Sequence, residues 1–340
     1  MKKLGLIMIS AVLLLQFAGV YAGGAKDDGV ITIGSNIYSF QDNFMNGVIK
    51  PELTRYGAEK GVKIEIVDSE GQQAKLNDQV DVFITKKVDV LAINLVDPAA
   101  ASTIIGKAKA AKIPLVLFNK EATEAGAMAS YDRVWYVGTN SAESGIIQGQ
   151  MMVNDWKANP AWDRNKDGIV QYVMLKGEPG HPDAEARTKY SVKSFVDAGI
   201  KVKQLALEAD PNWSTTHGND KMAAWLTSSF GKDIELVICN NDGMAFGAIN
   251  ALKAANVKLP IYGVDALSQA LTHIAEGELN GTVLNDGVNQ ARATIDLAIN
   301  AALGKANVTE GTNWKLDADG TKAVRVPYVA VTPKNYKNFQ

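Results

Sequence analysis

Asparagine and aspartate recur where apolar runs end. Asp97 closes INLVD, Asn119 closes VLFN, Asn241 and Asp242 close ICNND, Asp265 closes YGVD, and Asn285 and Asp286 close VLND. If those runs are parallel strands, their carboxyl ends face the crevice in which open α/β sheets bind ligands. The same residue types cap helices that follow such strands, so each one singly fits either role. Aromatic side chains accompany them. Tyr38 and Phe44 flank Asp42, and Trp213 sits in ADPNWSTTH. The segment GEPGHPDAEAR adds His181, Asp183 and Arg187. Pro182 suits a first helical turn, and Asp183 and Arg187, four apart, share a helix face. A neutral sugar presents hydroxyls that donate and accept, together with a face of C–H groups. Planar Asp, Asn and Arg groups satisfy the hydroxyls and aromatic rings cover the face, so the set suits a sugar better than an amino acid or a phosphate. Core packing of Phe44 and Trp213, and an exposed Asp183–Arg187 ion pair, are the plainer alternatives.

A second chemistry is written in DRNKDGIVQ. Asp163, Asn165 and Asp167 alternate, Gly168 follows, and Gln171 stands at the ninth position of an EF-hand-like loop. The twelfth position, where a bidentate Glu belongs, is Met174. A broken calcium loop, an ordinary Asn/Asp/Gly turn and a metal site closed by a distant residue all remain open on this stretch alone. The segment that follows, VQYVMLKG, reads as a strand and not as the exiting helix of an EF-hand. His181, His217 and His273 show no metal-ligand spacing, and no HExxH, GxSxG or Walker pattern occurs. A carboxylate pair for glycoside hydrolysis stays compatible with the sequence.

These residues need a frame to hold them. Short β-rich runs recur: VITIGSN (30–36), VKIEIVD (62–68), VDVLAINLVD (88–97), IPLVLFN (113–119) and RVWYVGT (133–139). Then come VQYVMLKG, KVKQLALEA, IELVICN, LPIYGVD, GTVLND and AVRVPYVAV. Helical patterns such as SAESGIIQGQMMVNDW and NQARATIDLAINAALG lie between most of them. Continuous apolar strands alternating with helices imply an α/β fold with parallel sheets covered on both faces. Eleven such strands exceed one comfortable sheet, which points to two similar lobes. The first helical stretch, DNFMNGVIKPELTRYGAEKG, carries Gly47 and Pro51. An interior proline costs a helix about 3 kcal/mol, so a kink or restart is expected near Lys50.

Composition narrows the setting. The 340 residues hold 35 Lys and Arg against 37 Asp and Glu, a net charge of −2, with no basic run suited to nucleic acid. Lys2 and Lys3, an apolar run and Val20-Tyr21-Ala22 make residues 1–22 read as a cleaved secretory signal. Cys239, the single cysteine, lies in an apolar stretch, so an exported chain would rely on its core and not on disulfides. A bacterial periplasm fits.

Long blocks carry a resemblance. LAINLVDPAA, FNKE, ESGIIQG, LKGEPGHPDAEAR, NND, GVDAL, GTVLND, GTNWK and RVPYV resemble those of bacterial periplasmic galactose/glucose-binding proteins, a type I periplasmic binding family. The likeness runs from VITIGSNIYSFQDNFM to the end of the chain. It implies two Rossmann-like lobes joined by a three-segment hinge, with crossings near 137–141, 284–287 and 325–329. The lobes would comprise 23–138 plus 286–325, and 139–285 plus 326–340. Carried over by motif, Tyr38, Asp42, Phe44 and Asn119 would meet sugar from the first lobe. His181, Asp183, Arg187, Trp213, Asn241 and Asp265 would do so from the second, with Asn285 at a crossing. Lys120 and Glu121 would flank the site. The family's calcium loop implies Ca2+ held by Asp163, Asn165, Asp167, the Ile169 carbonyl and Gln171, closed by Glu235. Implied partners are D-glucose or D-galactose, an ABC transporter permease and a chemoreceptor, around a monomer without enzymatic activity. Ribose or xylose binding, and a secreted sugar-acting enzyme, are the competing readings. A sugar-responsive repressor shares this fold but needs a helix-turn-helix where this chain reads as a signal.

Overall fold

Strands buried on both faces need cover on both faces, and the chain supplies it by alternation. The computed structural model describes residues 29–340; the stretch read as a secretory signal lies outside them. In chain order come β1 (Thr32–Ile37), α1 (Lys50–Glu59), β2 (Lys63–Asp68), α2 (Gln73–Thr85), β3 (Val90–Ile93), α3 (Ala101–Ala111) and β4 (Leu115–Phe118). Next are β5 (Val134–Gly138), α4 (Ser141–Ala158), β6 (Ile169–Lys176), α5 (Pro182–Asp197), β7 (Lys201–Ala209), α6 (Thr215–Leu226), β8 (Leu236–Cys239) and α7 (Asp242–Ala254). The chain closes with β9 (Ile261–Tyr262), α8 (Ser268–Ala275), β10 (Thr282–Leu284), α9 (Gly287–Ala302), β11 (Ala323–Arg325) and β12 (Val329–Val331).

One sheet runs β11-β5-β4-β3-β1-β2, with every neighbour parallel. The other runs β7-β6-β8-β9 in parallel and continues through bridges Tyr262–Gly281 and Asp265–Leu284 to β10. β12 then pairs antiparallel with β10, a departure from the all-parallel expectation. Central β3, β4 and β8 are buried at every residue, as strands covered on both sides must be. Edge strands β2 and β7 carry Lys63, Glu65, Lys201 and Lys203, charges that discourage further pairing.

AVRVPYVAV, read as a single strand, is two strands in different sheets. Pro327 has no N–H to give a ladder, and the chain leaves the first sheet at Arg325 and enters the second at Val329. The chain passes between sheets at 139–140, 285–286 and 326–328. The first and third passages are tied together. Arg325 donates to both Glu121 oxygens at 2.6 and 2.5 Å and to the Thr139 carbonyl at 2.8 Å. Thr139 Oγ1 donates to the Tyr328 hydroxyl at 2.9 Å.

The restart expected near Lys50 takes a definite form. Met45–Ile49 form a π turn, and the Lys50 N–H reaches back five residues to the Met45 carbonyl. α1 then begins with Pro51 in its first turn, where a missing N–H costs nothing. A widened turn also relieves the clash between the proline ring and the carbonyl four residues earlier. Asp42 opens this segment, its Oδ1 accepting the Met45 N–H at 2.9 Å.

Each lobe has its own core. Ile33, Leu91, Leu117 and Ile104 pack with Ile295 and Leu297 of α9 in the first. Leu175, Val237, Met222 and Ile249 form one face of the second, and Met174, Ile238 and Phe195 the other. Each fully buried Leu, Ile or Phe contributes about 1.5–3 kcal/mol, and Cys239 remains a free, buried thiol.

Candidate ligand-binding site

Both sheets aim their carboxyl ends at one small cavity, lined by Tyr38, Asp42, Phe44, Met45, Asn119, His181, Asp183, Arg187, Trp213, Asn241, Asp265 and Asn285. All eleven residues singled out in the sequence are there, and Met45 joins them. Three have left-handed backbones: Asn119 at φ 61°, Trp213 at 54° and Asp265 at 126°. Such conformations cost about 1–3 kcal/mol for non-glycine residues and persist only where surroundings hold them.

Those holding groups are visible. Asn94, buried inside the first lobe, accepts the Tyr38 N–H at 2.9 Å and donates toward the Asn119 side-chain oxygen at 3.3 Å. The Tyr38 hydroxyl donates to Asp42 Oδ2 at 2.6 Å. In the second lobe Asp210 accepts the N–H groups of Asn212 and Ser214 and the Ser214 hydroxyl, folding the turn that projects Trp213. Asn241 caps α7 through the Met244 N–H at 2.9 Å and donates to the Trp213 carbonyl at 3.1 Å. Its capping and cavity-lining roles coincide.

Two glycines give the aromatic rings their room. A Cβ on Gly177 would run into the far edge of the Trp213 ring, and one on Gly287 would meet the Phe44 ring. We expect Gly177→Ala to weaken ligand binding at least about tenfold by displacing Trp213, while the melting temperature of the ligand-free protein changes little. Calorimetry on the variant checks this; an unchanged affinity means the ring retreats without consequence.

The polar groups are set by burial. His181 caps α5, its Nδ1 accepting the Asp183 N–H at 3.1 Å, and its ring meets Trp213 edge-on at 5.3 Å. Burial, reinforced by the charge of Lys120, pushes its pKa down to about 3. The ring is therefore neutral, with Nε2–H as its remaining donor. Arg187 is 3% exposed, and its Nε donates to Ser144 Oγ at 3.3 Å. It donates to the Asn240 carbonyl at 2.9 Å, the Tyr328 hydroxyl at 3.1 Å and Asp183 Oδ2 at 3.3 Å. Burial opposes its charge, but Tyr328, Asp183 and Asp265 outweigh that and hold its pKa above the ordinary value. Burial raises Asp265, against the pull of Arg187, and Asn285 donates to it at 3.2 Å.

Not every strand-end residue reaches the cavity. Asp97 caps a short 3-10 turn, Asp286 caps α9, and Asp242 lies beneath the site, bonded to Thr282 and the Leu267 N–H. Capping alone accounts for Asp97 and Asp286.

DRNKDGIVQ lies on the second lobe. Lys166 (φ 63°) and Gly168 (φ 72°) bend it so that Asp163 and Asp167 accept N–H groups from within the loop. Glu235, 1% exposed, reaches across to accept the N–H groups of Arg164 at 2.7 Å and Gln171 at 3.1 Å. Burial, with Asp163 and Asp167 adding to it, raises the Glu235 pKa. Gln171 Oε1 is buried without a partner. An all-oxygen set with a buried carboxylate, two further carboxylates and an orphaned amide oxygen fits a hard divalent cation. The fold also gathers His273, Glu276 and Glu278, which sequence spacing did not suggest. There His273 Nδ1 lies 2.8 Å from Glu278, which also pairs with Lys253.

Comparison with known proteins places this geometry. A family model described as a periplasmic binding protein domain matches residues 33–306. The chain is 52% identical, over 339 residues, to the D-galactose/methyl-galactoside binding periplasmic protein of Haemophilus influenzae; the match covers all of this chain and 99% of the relative. A ribose import binding protein of Bacillus subtilis is 25% identical over 269 residues, 79% of this chain and 80% of its own. Among solved structures, an ABC transporter solute binding protein from Bacillus halodurans with bound myo-inositol superposes with a TM-score of 0.76 at 25% identity. That match covers 92% of this chain and 98% of the other.

Proposed function

The chain belongs to the periplasmic binding protein domain family, and from that premise we propose that it captures D-glucose or D-galactose between its lobes and delivers it to an ABC transporter permease. One observation carries the reading: a single cavity joins Phe44 of one lobe and Trp213 of the other with Asp, Asn, His and Arg groups already oriented. Rings cover the C–H faces of a pyranose, and the fixed polar groups count its hydroxyls. Asp42 accepts the 4-hydroxyl of either epimer, so both sugars are ligands. Its own Tyr38 bond supports that role by holding the carboxylate in place. The 52% identity to a galactose-binding relative supports the sugar class.

Residues 1–22 deliver the chain to the periplasm and are removed there. The working form is a monomer whose lobes close by bending at the three crossings, expelling water and presenting one shape to the membrane partner. A chemoreceptor reads the same closed shape. A thermal-shift panel of monosaccharides on the mature protein tests the sugar: glucose and galactose raise the melting temperature, ribose and xylose do not. A larger shift with ribose or xylose overturns the assignment.

Calcium is the second part of the reading. Asp163, Asn165, Asp167, the Ile169 carbonyl, Gln171 and Glu235 hold Ca2+, which pins the loop to the strand end beside β8. The unpartnered Gln171 oxygen and the carboxylates crowded at Glu235 support it. Removal by a chelator lowers the melting temperature by several degrees, and Glu235→Gln abolishes that sensitivity. Chelator sensitivity surviving in Glu235→Gln defeats the assignment of the closing ligand.

A further inference from the structure

Lys120 is a lysine with no exposure at all, and it stands where the lobes meet. It follows β4 in the first lobe, and its ammonium is seated there by the Val96 carbonyl at 3.1 Å and the face of the Tyr38 ring at 3.8 Å. Its ion-pair partner comes from the other lobe: Glu178, just after β6, lies 2.6 Å away. Neither side chain lines the ligand cavity. Glu178 keeps 22% of its side chain exposed, so the pair sits at the rim, with its cation end sealed and its carboxylate end reaching water.

An ion pair whose halves belong to two lobes exists only while the lobes are together. When they part, Glu178 returns to solvent, and Lys120 keeps the carbonyl and ring but loses its counter-charge. We propose that Lys120 and Glu178 form a latch across the cleft, setting how long the closed state lasts, and hence the rate of ligand release, without touching the ligand. This rests on the sugar-binding reading above. Truncating one member of a desolvated charge pair acts mainly on dissociation, because encounter precedes closure while escape requires opening. Water at the Glu178 end screens the pair, so the effect is smaller than for a sealed one. We expect about a tenfold faster release.

Stopped-flow measurement of D-glucose and D-galactose binding, read by tryptophan fluorescence, tests this on wild type, Glu178→Gln, Lys120→Met and the double variant. Each single change raises the dissociation rate about tenfold and alters the association rate less than about twofold. The double variant releases ligand no faster than the worse single one, because the two losses are one interaction. Glu178→Gln also leaves the melting temperature of the ligand-free protein unchanged, which a merely structural role would not predict. Additive effects, or an unchanged dissociation rate in Glu178→Gln, overturn the latch while leaving sugar binding intact. Failure of wild type to bind either sugar overturns the functional reading and the latch with it.

Discussion

Asp183→Ala is expected to raise the dissociation constant for glucose about a thousandfold or more. Asp183 is 5% exposed, and it opens α5 beside the His181 cap. Its carboxylate is paired with Arg187, which also donates to the Asn240 carbonyl, the Tyr328 hydroxyl and Ser144 Oγ. A site built to hydrogen-bond a hydroxyl loses about 10⁴-fold when that bond cannot form. Alanine removes the acceptor and also releases the guanidinium from one of the groups that orient it. Breaking a buried pair costs about 3–5 kcal/mol, and Arg187 keeps Asp265 at 4.0 Å, so the stability loss falls toward the lower figure. Titration calorimetry beside a thermal melt separates the two effects. A folded variant within about tenfold of wild-type affinity removes Asp183 from the site.

Trp213→Ala is the second large effect, expected at about a hundredfold or more. The ring packs on Gly177 and meets the His181 edge, and the turn projecting it is held by Asp210 and by Asn241. Large aromatic residues dominate binding energetics when they sit rigidly in desolvated pockets. Alanine removes one wall and lets water into a cavity whose polar groups work best when dry. Trp213→Phe should recover a substantial part of the affinity. Equal losses for Ala and Phe mean that the ring's size, and not its face, is what matters.

Much of this is legible in the sequence alone. Alternating apolar runs and helical patterns give two covered sheets because burial on both faces leaves no other economical packing. Strand ends in parallel sheets converge, so Asn119, Asn241, Asp265 and Asn285 announce a site even though they are far apart in the chain. Lone residues are less legible. Asp97 ends an apolar run as Asn119 does, yet it lies four residues past β3 and only caps a turn; a cap and a ligand contact use the same short polar side chains. The resemblance places Lys120 beside the site, but its burial and its pairing with Glu178, 58 residues away, are not legible in the sequence, where an ordinary lysine reads as exposed. Gly177 and Gly287 matter for an approach by rings distant in sequence. AVRVPYVAV reads as one strand because its period is unbroken; only the missing N–H of Pro327 hints that it changes sheets.

The three passages between sheets also fix an order of events during synthesis. The first lobe's sheet is missing β11, and its core is missing the α9 residues Ile295 and Leu297, until nearly the whole chain exists. A chain ending after β5 would leave β5 as an open sheet edge and the core residues that α9 covers exposed. The lobe made first is thus finished almost last, after the second lobe's β6 to β10 have emerged. A fragment ending near residue 138 is an incomplete lobe and not a small binding module, and a split version of this protein would have to be cut elsewhere.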